Sequence, residues 1–228
     1  MHRQLIGFIG LSISLAFSQN VWADTERVYV PLGSVDPEQV VSAPPASGSA
    51  EFEQGMAIVL WMQRVRTPEQ IVFVQKSLGV ERFAEMLRGE LFRVNGELLK
   101  STIDDAVNEV RADYDRLKQQ YDVPRPFQVS SAVEPATDWR PVKSFPSGHS
   151  VRAVVYARLL GEFFPEQRDA MLRYAEQIAY GRVLAGVHFP TDVLAGMALG
   201  HAYADVILQQ DAFKQIAARI EQPSSNGD

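Results

Sequence analysis

Residues 146–192 have the sequence PSGHSVRAVVYARLLGEFFPEQRDAMLRYAEQIAYGRVLAGVHFPTD. Proline favours the first position of a helix, and Gly186 interrupts the helical pattern shortly before Pro190. The stretch therefore predicts three consecutive helices, at about 146–164, 165–182 and 190–209. In the third of these, Asp192 falls in the first turn, from which its carboxylate can reach back to His188.

The rest of the chain has the same helical periodicity, with few alternating runs of β-branched residues. Val28–Val30 is at most a short extended segment, and residues 127–145 form a polar connection. Further helices are predicted at about 51–66, 68–78, 81–87, 91–120 and 211–220. With 228 residues, 46% of them hydrophobic, the chain can bury one sizeable core. These features predict an all-α fold, a single-domain helical bundle over residues 51–221.

The two ends of the chain differ in composition from this bundle. Residues 1–23 have the pattern of a cleaved secretory signal, because Arg3 precedes a 13-residue apolar stretch and Val21-Trp22-Ala23 is similar to a small-residue cleavage site. A membrane anchor is the alternative, but the stretch is shorter than the roughly 20 residues that span a bilayer. We therefore expect a periplasmic or secreted protein. Residues 24–50, rich in Pro, Ser and Ala, predict an extended N-terminal arm, and residues 222–228 a disordered tail.

Composition argues against several classes of protein. The chain has no cysteine, so neither a disulfide framework nor a thiolate nucleophile is available. Its formal net charge of −6 argues against a nucleic-acid partner. The most apolar internal run, Val193–Leu208, is short for a membrane span and contains His201 and Asp205, so we expect no integral membrane segment in the mature chain. Any affinity for phosphate must come from a local cluster of cations.

Three short segments can supply such a cluster. In the first, Lys118 is followed after six residues by Arg125-Pro126, with the lysine in the last helical turn and the arginine just beyond it. In the second, Ser147 and Gly148 open a helix whose free N–H groups and dipole favour an anion. In the third, Arg182 can bind phosphate oxygens in bidentate fashion. Each segment alone has a simple structural explanation, but their order and spacing indicate a phosphate-binding site.

The chain has four histidines, and they differ in their surroundings. His188 precedes the helix that carries Asp192, whose carboxylate can bind one ring nitrogen and leave the other free to attack phosphorus. His149 belongs to the second segment, whereas His201 lies within a helix without a partner pattern and is assigned a packing or surface role. His2 lies in the predicted signal. Without cysteine or a close pair of histidines the ligand set for zinc is poor, so we expect no metal and no other cofactor.

Together, the three segments resemble the signature of the type 2 phosphatidic acid phosphatase (PAP2) superfamily, which includes the bacterial class A non-specific acid phosphatases. Nineteen residues separate Pro126 from Pro146 and thirty-one separate His149 from Gly181, and both gaps suit that pattern. The resemblance covers about residues 50–210. It implies an all-α fold with the site between packed helices, a small phosphate-ester substrate, a reaction without metal and, as a possibility, a homodimer.

The resemblance also implies a role for each residue. His188 would attack phosphorus to form a phosphohistidine, which water then hydrolyses, and Asp192 would orient His188. His149 would protonate the leaving oxygen and later help to activate water. Because His188 must be neutral while His149 is protonated, activity should peak on the acid side of neutrality. The residues that would hold the phosphate oxygens are Lys118, Arg125, Ser147, Gly148 and Arg182.

Two features depart from the family pattern. Gly181 stands where the family often has serine, and the loss of that hydroxyl donor should alter the rate or the phosphate affinity more than abolish activity. Residues 78–93 lack the small-residue-rich loop associated with class A enzymes, so the substrate mouth should differ.

Arg140-Pro141 is a second Arg-Pro pair, but Val133 rather than a lysine lies seven residues before it, and we assign this pair to a loop.

The function predicted from the sequence is that of an exported, soluble acid phosphatase that hydrolyses phosphate monoesters. A lipid or prenyl diphosphate phosphatase at the membrane face is the main alternative, although integral members of the superfamily carry several spanning helices. A vanadate-dependent haloperoxidase shares the architecture but is usually much longer. A helical phosphate-binding protein without turnover is the fourth possibility, but binding alone would not require two histidines.

Overall fold

The computed structural model describes residues 27–87, 94–139 and 141–221. Within these ranges the chain forms α-helices and two short 3-10 helices, with no β-strand, so the predicted all-α, single-domain fold is confirmed. The predicted signal at 1–23 and the predicted tail at 222–228 lie outside the described residues. The helices are α1 (Pro37–Val40), α2 (Ala50–Val65), α3 (Pro68–Gln75), α4 (Glu81–Ala84), α5 (Gly96–Tyr121), α6 (Pro126–Val129), α7 (Gly148–Phe163), α8 (Arg168–Leu184), α9 (Pro190–Gln209) and α10 (Asp211–Ile220), with 3-10 helices at Glu85–Leu87 and Pro165–Gln167.

The helix of the second segment begins two residues later than predicted. We expected Pro146 at its first position, but α7 begins at Gly148. Ser147 is the N-cap, and its side chain accepts a hydrogen bond from the Ser150 N–H. Gly148 and His149 therefore occupy the first turn, where the N–H groups have no partner within the helix.

Other helix boundaries also differ from the prediction. The connection predicted at 127–145 contains most of α6, which begins at Pro126. α8 follows a 3-10 turn and continues past Arg182 to Leu184. α3 ends at Gln75, because the backbone of the next residue is already extended. The predicted start of α5 near residue 91 lies outside the described residues. In the structure α5 begins at Gly96, and Asn95 is its N-cap. Caps and tertiary contacts decide such terminal turns, and periodicity alone does not locate them.

The N-terminal arm is bound to the bundle at its start. The carboxylate of Glu109 on α5 accepts hydrogen bonds from the N–H groups of Val28, Tyr29 and Val30, at 2.9, 2.9 and 2.7 Å. The side chains of Tyr29 and Val30 are buried. Farther along the arm, Asp36 caps α1, a short helix that the composition of the arm did not predict.

The central helix of the fold is α7. Eleven of its sixteen residues are buried, and it packs against α5, α8 and α9. A helix covered on most sides is apolar almost all round. This burial accounts for the nearly continuous run of small and apolar residues at 153–161.

Two glycines allow the backbones of α7 and α9 to approach closely. A Cβ atom at Gly196 would lie 2.5 Å from the Ser147 carbonyl oxygen, and one at Gly200 would lie 2.7 Å from the Val151 carbonyl oxygen. No other residue type fits at such distances. The approach brings the first turns of both helices together, and the Ser147 N–H donates to the Asp192 carbonyl oxygen at 2.9 Å.

The most apolar run of the sequence, at 193–208, lies within α9. This helix packs inside the bundle, against α7, α8, α2 and α10. Among the helices in the described ranges, none combines the length and the apolar content needed to cross a membrane.

Replacing Gly196 with alanine should destabilise the protein, because the new Cβ must displace the α7 backbone at Ser147. Overpacking of this kind costs about 1–3 kcal/mol. The matched control is Gly55→Ala on α2, where the Cβ would lie in ordinary contact at 3.5 Å and alanine is favoured over glycine by about 1 kcal/mol. Thermal unfolding followed by circular dichroism should show a lower Tm for Gly196→Ala and an equal or higher Tm for Gly55→Ala. An unchanged Tm for Gly196→Ala would contradict the close backbone contact.

Candidate active site

The three segments meet at a cavity of about 190 Å³, which we call the site cavity. It lies where the ends of α5, α7, α8 and α9 converge. The structure brings the predicted site residues together, although they are spread over residues 118–192. Two of them, Ser147 and Asp192, are buried next to the lining residues and are joined by the backbone hydrogen bond between α7 and α9. The other six line the cavity: Lys118, Arg125, Gly148, His149, Arg182 and His188.

The start of α9 positions Asp192. Pro190 occupies the first helical position, and the Phe189 N–H donates to Asp192 Oδ2 at 2.9 Å. This is the capping geometry of an acidic residue at the third position of a helix. The same Oδ2 lies 3.2 Å from His188 Nδ1, and both side chains are almost fully buried. The contact predicted between the carboxylate and the imidazole is therefore present.

Arg125 determines which nitrogen of His188 carries the proton. Its NH1 group donates to the Val187 carbonyl oxygen at 2.7 Å and lies 3.2 Å from His188 Nε2. A guanidinium can only donate, so Nε2 must be the acceptor. In the neutral ring the proton is then on Nδ1, where it faces Asp192. The lone pair on Nε2 faces the cations of the site.

The surroundings of His188 favour its neutral form. Burial lowers the pKa of His188 well below its ordinary value, and the charges of Arg125, Lys118 and Arg182 lower it further. Burial also raises the pKa of Asp192 to about 6. The hydrogen bonds from Ser144 and the Phe189 N–H lower this pKa, but burial has the larger effect. Removal from water penalises the charged form of both groups. The site therefore favours the neutral imidazole of His188, which is the form that can act as a nucleophile.

Ser144 is a buried residue of the site that the sequence pattern did not indicate. Its hydroxyl donates to Asp192 Oδ2 at 2.6 Å and lies 3.3 Å from His188 Nδ1. The serine thus bonds to the carboxylate and contacts the imidazole that the carboxylate orients. It lies two residues before Pro146, and that proximity is the one signal that could have identified it.

Lys118 binds the loop that precedes α7. Its ammonium donates to the carbonyl oxygens of Lys143 and Ser144, at 2.9 and 3.0 Å, and to that of Pro146. These bonds use the three N–H groups of an ammonium. The charge still acts on the cavity, because Lys118 is only 4% exposed and the interior screens charge weakly. Direct contact of Lys118 with phosphate oxygens stays a prediction.

The two arginines of the segments differ in their contacts. Arg125 donates from Nε to the Val142 carbonyl oxygen at 2.9 Å. Arg182 is only 5% exposed and makes no hydrogen bond or ion pair with any residue in the described ranges, and its Nε is buried without a partner. Burial and repulsion from Arg125, Arg152 and Arg82 lower the pKa of Arg182 to about 9. A buried guanidinium without a carboxylate is unfavourable unless an anion binds, so Arg182 is the residue best suited to hold phosphate.

Ser147 and Gly148 contribute in different ways at the start of α7. Ser147 is fully buried and is not among the residues that line the cavity, so its predicted bond to phosphate stays a prediction. Gly148 lines the cavity, and a Cβ there would lie 2.7 Å from the Tyr114 ring. The first-turn N–H groups of Gly148 and His149 are the backbone donors at this end of the helix.

His149 lies among arginines. Its ring lines the site cavity, where burial and the charges of Arg182, Arg152, Arg82 and Arg125 lower the pKa of His149 well below its ordinary value. An anion bound among these arginines would offset their repulsion and raise that pKa. Protonation of His149 and anion binding are therefore coupled, and each favours the other.

The remaining sequence predictions concern residues outside the cavity. His201 is exposed on α9, with Nδ1 3.2 Å from an Arg158 nitrogen, and Arg140 lies outside the described residues. A Cβ at Gly181 would lie 2.9 Å from Val74 Cγ1, so α3 occupies the space that a serine side chain would need. Across the described parts of the chain no group of three or more His, Asp or Glu residues could hold a metal ion. The expectation of no metal stays a prediction.

Comparison with known proteins identifies the family of this chain. A sequence profile of the PAP2 superfamily matches residues 102–215, which is half of the chain. The chain belongs to the PAP2 superfamily. The resemblance that the three segments indicated is thereby confirmed, and the matched region includes all of them together with Ser144.

Curated relatives of this PAP2 protein include phosphatases of two kinds. It is 30% identical over 149 residues to the lipid A 1-phosphatases of Rhizobium johnstonii and Rhizobium etli, which covers 65% of this chain and 54% and 56% of theirs. It is 28% identical over 109 residues to the non-specific acid phosphatase of Salmonella typhimurium, which covers 46% of this chain and 44% of that protein. The chain thus spans about half the length of these relatives.

Two solved structures share the fold of this PAP2 protein. A transmembrane PAP2-type phosphatidylglycerolphosphate phosphatase from Bacillus subtilis aligns over 71% of this chain and 86% of its own, with a TM-score of 0.52 and 22% identity. A bacterial vanadium-dependent iodoperoxidase aligns over 74% of this chain and 51% of its own, with a TM-score of 0.57 and 15% identity. At these identities the likeness concerns the fold alone.

Replacing Ser144 with alanine should raise the pKa of Asp192 above its value of about 6, because the carboxylate loses a hydrogen bond that favours its charged form. A carbon-13 NMR titration of the Asp192 carboxyl measures this shift. Ser101→Ala is the matched control, since Ser101 is exposed and its hydroxyl donates to the Leu98 carbonyl oxygen on α5. An Asp192 pKa that is the same in Ser144→Ala and the parent protein would show that the hydroxyl does not bind the carboxylate.

Replacing Arg152 with glutamine should raise the pKa of His149, because one of the charges that lower it is removed. Arg158→Gln is the matched control, since Arg158 lowers the pKa of His201 and its loss should raise only that value. NMR titration of the histidine ring protons measures both. If His149 does not respond to Arg152→Gln, or responds equally to both variants, the assignment of its pKa shift is wrong.

Proposed function

We propose that this chain is a phosphatase that hydrolyses phosphate monoesters through a phosphohistidine at His188. The observation that carries the proposal is a buried imidazole whose Nδ1 faces Asp192 and whose Nε2 faces buried cations beside a cavity. Membership of the PAP2 superfamily supports it, and so do relatives that are named lipid A 1-phosphatase and non-specific acid phosphatase.

In the first step, His188 Nε2 attacks phosphorus, so that an N–P bond forms as the P–O bond to the alcohol breaks. The ring becomes positively charged, and Asp192 stabilises it by accepting the hydrogen bond from Nδ1–H. Ser144 holds the carboxylate in position for this contact. His149 donates a proton to the leaving oxygen, so the alcohol departs as a neutral molecule.

Positive charge around the cavity stabilises the transition state. Phosphoryl transfer spreads negative charge over the equatorial oxygens of phosphorus, and positioned cations and N–H donors stabilise that charge. Arg182 and Arg125 supply guanidinium groups, and the first turn of α7 supplies backbone N–H groups. Lys118 adds positive charge from behind the loop that it binds.

In the second step, a water molecule attacks the phosphohistidine. Its proton passes to His149, which lost one in the first step, while the N–P bond breaks and inorganic phosphate is released. His188 returns to its neutral form with the proton on Nδ1. Both histidines are then ready for another substrate, and the cycle consumes one water molecule for each ester.

The two histidines and Asp192 give the reaction an acidic optimum. In the substrate complex the phosphate charge raises the pKa of His149. As pH rises further, His149 loses the proton that it must donate, and kcat falls. As pH decreases below about 6, Asp192 gains a proton and no longer accepts the bond that orients His188. We therefore expect a bell-shaped profile of kcat with its maximum on the acid side of neutrality.

We propose further that the protein is exported and acts as a soluble acid phosphatase in the periplasm or outside the cell. Support comes from the signal-like pattern of residues 1–23 and from the similarity to a non-specific acid phosphatase. A small phosphate ester is the expected substrate, and a homodimer stays a prediction.

Phosphate release from an aryl phosphate, measured across pH with the purified chain, tests the reaction. His188→Ala should reduce the activity to background, and His149→Ala should reduce it by about 10²- to 10⁴-fold. His201→Ala is the matched control and should retain the activity, because His201 lies on the exposed surface of α9.

A chelator should have no effect on phosphate release, and vanadate should inhibit it. Acid-labile phosphate trapped on the parent protein, and not on His188→Ala, would identify the intermediate; full activity of His188→Ala would exclude the mechanism.

Hydrolysis of a lipid phosphate at a membrane surface is the second candidate. Two relatives are named lipid A 1-phosphatase, and Ile58, Trp61 and Val65 form an apolar row on α2 with exposures of 43, 55 and 52%. Such a row can insert into the interfacial region of a bilayer. Comparison of an aryl phosphate with phosphatidic acid in micelles separates the two candidates. The lipid function would be favoured if micellar substrate is preferred and Trp61→Ala lowers activity on micelles alone.

A further inference from the structure

A second cavity adjoins the site cavity. It is a groove of about 730 Å³ between the C-terminal ends of α2 and α3 and the segment at 135–138. His149, Arg182 and Asp138 line both cavities, whereas His188 lines the site cavity and not the groove. His149 and Arg182 therefore lie at the boundary between the two spaces.

The geometry of phosphoryl transfer determines which part of a substrate enters the groove. The attacking and leaving atoms lie on opposite sides of phosphorus. His188 attacks from within the site cavity, and the leaving oxygen must lie within hydrogen-bond reach of His149. Because His149 borders the groove, the alcohol part of the ester extends into it.

Hydrogen bonds hold the walls of the groove together. At the end of α2, Arg66 NH1 donates to the Glu134 carbonyl oxygen at 3.0 Å. On α3, Gln75 Nε2 donates to the Ala136 carbonyl oxygen, also at 3.0 Å. Both helices are thus tied to the segment that forms the opposite wall, and the groove is a built part of the fold.

The groove is polar and carries more positive than negative charge. Arg66, Lys76 and Arg182 line it, against one carboxylate among its lining residues, that of Asp138. The side chain of Lys76 is exposed and makes no ion pair with a residue in the described ranges. Walls of this kind attract a negatively charged, hydrophilic molecule and are poorly suited to an acyl chain.

We propose that this groove binds the alcohol part of the substrate, and that this part is small, hydrophilic and carries a second anionic group, such as a carboxylate, which Lys76 attracts. The inference rests on the proposed phosphatase function and names the substrate class of the same site. Arg66 and Gln75 shape the groove, Lys76 provides specificity, and Asp138 opposes the anionic group.

Glycerol 3-phosphate and 3-phosphoglycerate are suitable probes, because they share a carbon skeleton. Glycerol 3-phosphate has a hydroxymethyl group at the position where 3-phosphoglycerate has a carboxylate. The purified full chain should have the higher kcat/KM for 3-phosphoglycerate. Lys76→Ala should lower the ratio of the two kcat/KM values by about threefold to fivefold, the effect of an exposed charge pair. Asp138→Asn should raise the same ratio, because the opposing carboxylate is removed.

Lys214→Ala is the matched control, since Lys214 is an exposed lysine on α10 that lines neither cavity, and it should leave the ratio unchanged. A fall with Lys76→Ala together with a rise with Asp138→Asn supports the inference. Any other pattern overturns it, while phosphate release from the probes keeps the proposed function in place. If the parent protein releases phosphate from neither probe nor from an aryl phosphate, the proposed function itself fails.

Discussion

At Gly196 and Gly200 the backbone of α9 lies against the backbone of α7, closer than any side chain would permit. Because of this approach, the Ser147 N–H reaches the carbonyl oxygen of Asp192 and joins the first turns of the two helices. The carboxylate that orients His188 and the N–H groups at the start of α7 consequently have fixed relative positions. Phosphoryl transfer requires such positions, because its transition state is stabilised mainly by groups that are already in place.

The buried cations have two effects on the site. Desolvation of an ion costs several kcal/mol unless partners offset it, and carbonyl oxygens provide that offset for Lys118 and Arg125. Arg182 has no such partner in the described ranges, so an anion would relieve both its desolvation and its repulsion from other arginines. The same charges lower the pKa of His188 and keep it neutral. In the proposed mechanism, one cluster of cations therefore both binds the phosphate and keeps the nucleophile neutral.

The sequence predicted best those features that have a local cause. Pro190 and Asp192 define a helix start whose geometry alone brings the carboxylate near His188, and the structure shows that contact. Ser144 could not be predicted in this way, because its contact depends on a loop that Lys118 holds from another helix. The charge of Lys118 was evident from the sequence, but which acceptors its ammonium bonds is decided by tertiary structure.

Gly181 connects the departure from the family pattern with the shape of the groove. A Cβ at this position would lie 2.9 Å from Val74 Cγ1, so glycine allows α3 to lie directly against α8. The residues that follow Val74 are Gln75 and Lys76, which form one wall of the groove. A serine here would have to displace the Val74 side chain, which lies on α3 directly before the two wall residues. The missing hydroxyl and the position of α3 beside the groove are therefore linked by one packing contact.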